Sequence, residues 1–271
     1  MARIYLMVDF RYCQPPDLRS ASCSACCGMY NWKNCSREIV REVLEFQTEQ
    51  FLRSDRTEAD LLMLKKEISK KRPEILFPVI YNCEFMGFID PERKKVGCLL
   101  HPSLNNGNNL RGISHHGKET CDESRCTAYF YLTDAEALLV AEAVDDWYLY
   151  GLCLTDLDLI KEFFNITSIM LSDNVSAEKV CSRKKLKEIF QQYLLLKEHW
   201  KFSRNGNRLG KYVFNQQNYM IHRIDYASLS ANPSRFDKIF NSLGSEFKNK
   251  TELIEAEELL ERIFQRFAEN F

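Results

Sequence analysis

The chain has 271 residues, of which 45% are hydrophobic, so it can bury a full core and is not expected to be disordered. Its 37 basic and 38 acidic residues leave a net charge of -1, which argues against nucleic acid or an anionic membrane surface as a partner. Only five consecutive apolar residues precede Asp9, and no later segment approaches the roughly 20 apolar residues of a membrane span, so we expect a soluble cytoplasmic protein.

The first 35 residues are predicted to form a short apolar segment followed by a loop. Pro15-Pro16 interrupts regular structure, and no helical or strand period follows it. The loop contains the run Cys23-Ser-Ala-Cys26-Cys27-Gly28, in which Gly28 permits backbone conformations that bulkier residues resist. We expect this irregular segment to be held in place by ligands bound to its cysteines.

Two amphipathic helices are predicted next. The first begins at Ser36, and its apolar face is formed by Ile39, Val40, Val43, Leu44 and Phe51. The second begins at the capping sequence Thr57-Glu58-Ala59-Asp60, and the two helices are expected to form a hairpin. From Pro73 to about Leu132 short apolar pieces alternate with Pro, Gly and Asn, which predicts a loop-rich region containing four more cysteines.

The sequence becomes regularly helical at the capping box Thr133-Asp134-Ala135-Glu136, where we place a boundary between domains 1–132 and 133–271. The helix that opens there is predicted to include Trp147 and Tyr148 on its apolar face, and its neighbours Asp145 and Asp146 are interpreted as a solvated face. Further helices are predicted around 157–164 and 186–197 and from about 251. Segment 201–214 is predicted to be a β-hairpin, because Asn205-Gly206 supplies the positive φ angles of a tight turn.

The predicted fold class is therefore α+β and predominantly helical. An irregular, cysteine-rich, metal-stabilised N-terminal region is expected to pack on a mostly helical C-terminal region with one β-hairpin. Such a loop-rich region cannot assemble a large apolar core of its own, so bound metal would contribute directly to its folding.

The cysteines are the strongest functional signal. Their number, eleven, is odd, and no export signal accompanies them, so reduced thiols or metal thiolates are expected rather than disulfides. Cys23 and Cys26 have the spacing at which a tight turn directs two thiolates toward one metal ion, and they lie in a polar loop rather than on an apolar stripe. Cys153 and Cys181 are instead expected to be ordinary buried cysteines, which behave as small hydrophobic residues, and the same interpretation applies to Cys13.

The run supplies at most three ligands, so the others must come from elsewhere in the chain. The candidate metal ligands are Cys23, Cys26, Cys27, Cys83, Cys98, Cys121 and Cys126. Participation of Cys35, His101, His115 and His116 is left open by the sequence.

The run Cys23-Ser-Ala-Cys26-Cys27-Gly28, followed by Cys83-Glu-Phe and by Gly97-Cys98-Leu-Leu-His-Pro102, resembles the pattern of the YkgJ-type cysteine-cluster proteins, a zinc- or iron-chelating or iron–sulfur family. The resemblance covers about residues 20 to 130. It implies that Cys23, Cys26, Cys27, Cys83 and Cys98 are ligands of zinc or iron. The long linker between Cys27 and Cys83, His101-Pro102 in place of the family's Arg-Pro, and the Cys121/Cys126 pair depart from the pattern.

The sequence thus predicts a cytoplasmic metal-binding protein that holds zinc or an iron–sulfur centre, with a structural or redox role. Both groups accept four thiolates, and only the family resemblance favours iron–sulfur. The alternative is a metal- or thiol-dependent enzyme of unknown substrate, in which Cys121, Cys126 and Ser114-His115-His116 line an open coordination position. No phosphate-binding loop, His-Glu-x-x-His or Gly-x-Ser-x-Gly motif is present, and a protein partner is not indicated.

Overall fold

The computed structural model describes residues 12–15, 20–204, 210–215 and 218–271. Helices account for 55% of the structure, and the strands form two small antiparallel sheets. This confirms the predicted α+β, predominantly helical fold class with a β-hairpin. The first eleven residues, including the predicted apolar segment, lie outside the described part of the chain.

Both predicted N-terminal helices are present. Helix α1 (Arg37–Arg53) begins where the Ser36 hydroxyl accepts a hydrogen bond from the amide of Ile39. Helix α2 (Glu58–Lys71) begins after Thr57, whose side chain accepts from the amide of Asp60. The two helices contact each other, as expected for a hairpin.

A short sheet packs on α1 and carries one of the predicted metal ligands. Strands β1 (Met86–Phe88) and β2 (Val96–Cys98) are antiparallel, and β1 contacts α1. The hydroxyl of Thr48 accepts a hydrogen bond from the amide of Phe88 at 2.8 Å. A Cβ atom at Gly87 would lie 2.6 Å from that hydroxyl oxygen, so glycine allows the strand to approach the helix closely.

The region between β2 and residue 133 contains only short elements. They are the 3-10 turns Pro102–Leu104 and Arg111–Ile113 and the helices α3 (Gly117–Glu123) and α4 (Thr127–Tyr131). This agrees with the loop-rich prediction.

The capping box at Thr133 is present, with both reciprocal hydrogen bonds to Glu136, but the helix that it opens is shorter than predicted. Helix α5 (Asp134–Ala143) ends before a new helix, α6 (Trp147–Leu154), begins. The break arises because the Asp146 carboxylate accepts hydrogen bonds from the amides of Tyr148 and Leu149 and so caps a second helix. The remaining helices are α7 (Leu157–Leu171), α8 (Ala177–Ser182), α9 (Lys184–His199), α10 (Asp237–Ser242) and α11 (Lys250–Asn270).

The β-hairpin lies further along the chain than predicted. It consists of β3 (Tyr212–Asn215) and β4 (Asn218–Ile221), whereas the predicted turn at Asn205-Gly206 lies outside the described residues. The predicted first strand is wrong, because its backbone pairs with the loop after α10. The amide of Arg204 donates to the carbonyl of Gly244 at 2.8 Å, and that of Glu246 donates to Phe202 at 2.9 Å.

Apolar packing joins the two predicted domains. The largest buried cluster lies among the C-terminal helices but also includes Tyr12, Ala21 and Cys23. A second cluster packs Tyr30 with Tyr148 from α6. The domain boundary at 132/133 stays a prediction. Within the described residues, no helix combines the length and apolar character that a membrane span requires.

Candidate metal centre

The cysteine run lies on a 3-10 turn, Ala25–Cys27, which Gly28 ends with a φ of 84°. Any side chain at Gly28 would clash with the carbonyl oxygen of Tyr81, so glycine serves both the left-handed conformation and the close approach. The amide of Cys83 donates a hydrogen bond to the carbonyl of Cys27 at 2.9 Å. The run is therefore joined directly to a cysteine that is distant in the sequence.

Two buried asparagine side chains hold these segments together. The amide nitrogen of Asn82 donates to the carbonyl of Gly28 at 2.9 Å. Asn31 donates to the carbonyl of Phe77 at 3.0 Å and to the side-chain oxygen of Asn82 at 2.8 Å. Neither residue belongs to a recognisable motif, so sequence reasoning missed both. Their role follows from burial, which requires polar side chains to find partners within the protein.

The pairing of β1 with β2 brings Cys98 to the same place. Cys98 lies opposite Met86 in the ladder, and the amide of Leu99 donates to the carbonyl of Phe85 at 2.8 Å. Cys83 comes two residues before Phe85 on the same segment. The Cys83 and Cys98 thiols consequently interact electrostatically.

Arg111 and Ser114 position Cys121 beside these thiols. Arg111 is buried, and its guanidinium forms an ion pair with Asp122. The guanidinium also donates hydrogen bonds to the carbonyl of Cys121 at 3.3 Å and to the side-chain oxygen of Asn109 at 2.9 Å. The hydroxyl oxygen of Ser114 lies 3.3 Å from the Cys121 sulfur. Arg111 thereby places a positive charge next to the cysteines.

These contacts assemble four buried or half-buried thiols, which we call the Cys83 group: Cys27, Cys83, Cys98 and Cys121. Burial raises the pKa of the Cys83 thiol to about 12 and that of Cys98 to about 11, and negative charge on neighbouring thiols adds to both shifts. The positive charge of Arg111 opposes this shift by lowering the pKa of Cys98. Thiolates that repel one another in this way are stabilised together by a shared cation.

The other predicted ligands interact with one another and with Cys13. We call them the Cys23 group: Cys13, Cys23, Cys26 and Cys126. The two groups meet at Cys26 and Cys27. A hydrogen bond from the Cys27 thiol lowers the pKa of Cys26 to about 7 and raises the pKa of Cys27 well above its usual value.

Three of the cysteines share a local hydrogen-bond pattern. The sulfur of Cys23 accepts from the amide of Ala25, two residues later, at 3.4 Å. The amide of Phe85 stabilises the Cys83 thiolate and that of Leu100 stabilises the Cys98 thiolate, again two residues later. Amides that donate to sulfur favour the thiolate form, which is the form that binds metal.

The donor set fits zinc or an iron–sulfur centre in its chemistry, because both are held by four thiolates. The side chains are not yet closed around one point. Among the described residues, no three Cys, His, Asp or Glu side chains are placed so that together they could hold a metal ion. Metal binding would therefore require the sulfur atoms within a group to turn toward each other.

The histidines and remaining cysteines have other surroundings. His101 precedes the turn Pro102–Leu104, and its ring nitrogen accepts from the amide of Ser103 at 3.2 Å. The ring of His115 stacks on Tyr81 with centroids 3.9 Å apart, and His116 packs edge-on against both rings. The other three cysteines have different neighbours: Cys35 is buried in the cluster that contains Tyr30 and Tyr148, Cys153 lies 3.8 Å from the Leu194 carbonyl, and Cys181 lies 3.1 Å from the Glu142 carboxylate.

Asp145 anchors the chain immediately before the cysteine run. One of its carboxylate oxygens accepts hydrogen bonds from the amides of Ser20 at 2.6 Å and Ala21 at 2.8 Å. Its neighbour Asp146 caps α6 and forms an ion pair with Arg37. The placement of both carboxylates on a helix face is wrong, because α5 has already ended before this point, whereas Asp145 is exposed as expected.

Substitution of Asp145 by alanine is expected to lower the free energy of unfolding by about 1–2 kcal/mol, since two backbone amides lose a charged acceptor. Asp145→Asn keeps an acceptor oxygen at the same position and should retain most of that stability. Urea unfolding of the two variants measures the difference. An unchanged midpoint in Asp145→Ala would show that the anchor contributes nothing to stability.

No family model matches the chain, and no curated protein or solved structure is similar to it. The resemblance to the YkgJ-type proteins and the ligand set that it implies therefore stay predictions.

Proposed function

We propose that this chain is a cytoplasmic metal-binding protein and that the Cys83 group holds zinc or an iron–sulfur centre. The observation that supports the proposal is that backbone contacts bring the segments of Cys27, Cys83 and Cys98 together and that the Cys121 thiol interacts electrostatically with those of Cys83 and Cys98. Cysteines that merely fill an apolar core need no such convergence.

The composition of the site favours a structural or electron-transfer role over an open catalytic site. Four thiolates complete the coordination of zinc or of a cluster and leave no position for a substrate. The buried guanidinium of Arg111 would offset part of the negative charge of a four-thiolate centre. His115 and His116 pack on Tyr81, which gives the alternative of a mixed Cys/His catalytic site no support.

Purification without oxygen, followed by metal and sulfide analysis and a visible spectrum, tests the proposal. Iron, sulfide and broad visible absorbance would identify a cluster, whereas a colourless protein with stoichiometric zinc would identify a zinc site. A folded protein that contains neither metal, and does not take up either one after reduction, would contradict the proposed function.

A further inference from the structure

We propose that the Cys23 group is a second, separate centre, which binds a thiolate-preferring divalent ion such as zinc through Cys13, Cys23, Cys26 and Cys126. The proposal rests on the proposed function only for the kind of metal. Its ligands are four thiols that the Cys83 group does not use.

The first pair of ligands is joined through the backbone. The amide of Cys23 donates to the carbonyl of Cys13 at 3.0 Å. The segment that carries Cys13 is fixed to the helical part of the protein, because the hydroxyl of Tyr150 donates to the carbonyl of Tyr12 at 2.8 Å. A Cβ atom at Gly151 would lie 3.1 Å from the Cys23 sulfur, so this sulfur packs directly on α6.

Cys126 reaches the same place through the packing of α4. It is the residue before that helix, its side chain does not cap the helix, and it is half-buried against the cluster that contains Tyr12 and Cys23. The ring of Tyr129 packs edge-on against Tyr12 with centroids 5.6 Å apart. The Cys126 thiol accordingly interacts electrostatically with both Cys13 and Cys23.

The turn Ala25–Cys27 allows adjacent cysteines to contribute to different centres. A 3-10 helix has about three residues per turn, so successive side chains point roughly 120° apart. Cys26 interacts with Cys13 and Cys23 and also with Cys98, whereas Cys27 interacts with Cys83 and Cys98, so Cys26 lies between the two groups. Each group then contains four cysteines, which is the number of ligands that a tetrahedral thiolate site requires.

The two centres should differ in lability. Cys13 and Cys26 are exposed, whereas Cys83 is buried. A chelator can reach a metal held by the Cys23 group more directly, so this ion should be released first.

The test is a titration of the reduced, metal-free full-length protein with zinc, and with cobalt(II) to follow thiolate ligation by visible absorbance. The wild type should bind two equivalents, and the double variants Cys13→Ser/Cys126→Ser and Cys83→Ser/Cys98→Ser should each bind one. Cys181→Ser is the control and should bind two. Far-UV circular dichroism verifies that each variant is folded.

The failures of the two proposals can be told apart. If the wild type binds one equivalent of metal and Cys13→Ser/Cys126→Ser also binds one, the second centre is overturned. The proposed function is then left intact. Binding of neither zinc nor cobalt by the wild type would overturn the second centre, and the metal and sulfide analysis of the protein purified without oxygen then decides the proposed function separately. Loss of all metal in either folded double variant would indicate a single shared centre and overturn the separation into two.

A measurement on the wild type covers the case in which a variant does not fold. Zinc should protect Cys13 and Cys126 from iodoacetamide, and a chelator should remove this protection before it exposes Cys83. Alkylation of Cys13 and Cys126 at the same rate with and without two equivalents of zinc would overturn the second centre.

Discussion

Replacement of Cys83 by serine is expected to remove one metal equivalent and to lower the free energy of unfolding by more than about 3 kcal/mol. Cys83 interacts with the three other thiols of its group, and a serine hydroxyl is a poor ligand for zinc or iron at neutral pH. Structural zinc contributes on the order of 10 kcal/mol of binding free energy in small zinc domains, so its loss outweighs the change of one side chain. Metal analysis and denaturant unfolding under reducing conditions measure the two effects.

Cys153→Ser is the matched control, because Cys153 is also buried but its sulfur contacts the Leu194 carbonyl of α9 and it is not a proposed ligand. Burying a hydroxyl should cost each variant a similar amount of stability, about 1–3 kcal/mol. Only the Cys83 variant should lose metal. A chelator should then lower the stability of the wild type and of Cys153→Ser much more than that of Cys83→Ser. Equal metal content in Cys83→Ser and the wild type would contradict the ligand assignment.

Substitution of Lys197 by methionine should destabilise the helical half of the protein by about 3–5 kcal/mol. The Lys197 ammonium, whose side chain is 4% exposed, donates to Asp156 at 2.5 Å and to the carbonyl of Ser242 at 2.6 Å. The same carboxylate caps α7 through the amide of Leu159 and accepts from the Ser242 hydroxyl at 2.9 Å. Methionine would therefore leave a nearly buried negative charge without its cation at the junction of α7, α9 and α10.

Lys201→Met makes the same chemical change in an exposed pair and serves as the control. The side chains of Lys201 and Glu255 are 58% and 51% exposed, so their attraction is screened by solvent and should be worth no more than about 1 kcal/mol. Denaturant unfolding compares the two variants. Equal losses of stability in the two variants would show that burial does not determine how much the Lys197 ion pair contributes to stability.

The helices could be predicted where residues close together in the sequence determine the position at which a helix begins. The capping residues Ser36, Thr57 and Thr133 all begin helices, since their side-chain acceptors and the apolar periodicity behind them lie in the same short segment. The break between α5 and α6 was not predictable in this way. Residues 144–146 fit the helical period, and Asp145 leaves it to bind amides 125 and 124 residues away in the sequence.

The candidate ligands were predictable as residues but not as groups. The spacing of Cys23 and Cys26 predicts a thiolate metal site from residues that are close in the sequence. On the proposed ligand sets, the assignment of Cys26 and Cys27 to different groups and the inclusion of Cys13 depend on the pairing of β1 with β2 and on the packing of α4 against Tyr12. Contacts between distant segments leave no periodic signal in the sequence, so a single isolated cysteine such as Cys13 could not be distinguished from a core residue.

The distance along the chain between the ligands of each group bears on how the protein is made. Cys126 follows Cys26 by 100 positions in the sequence. A ribosome that adds about 5–20 residues per second needs roughly 5–20 s to synthesise that stretch. Throughout this interval the nascent chain carries the thiols of Cys13, Cys23 and Cys26 without Cys126, their proposed fourth ligand. On the proposed ligand sets, metal loading cannot be completed until Cys121 and Cys126 have been translated.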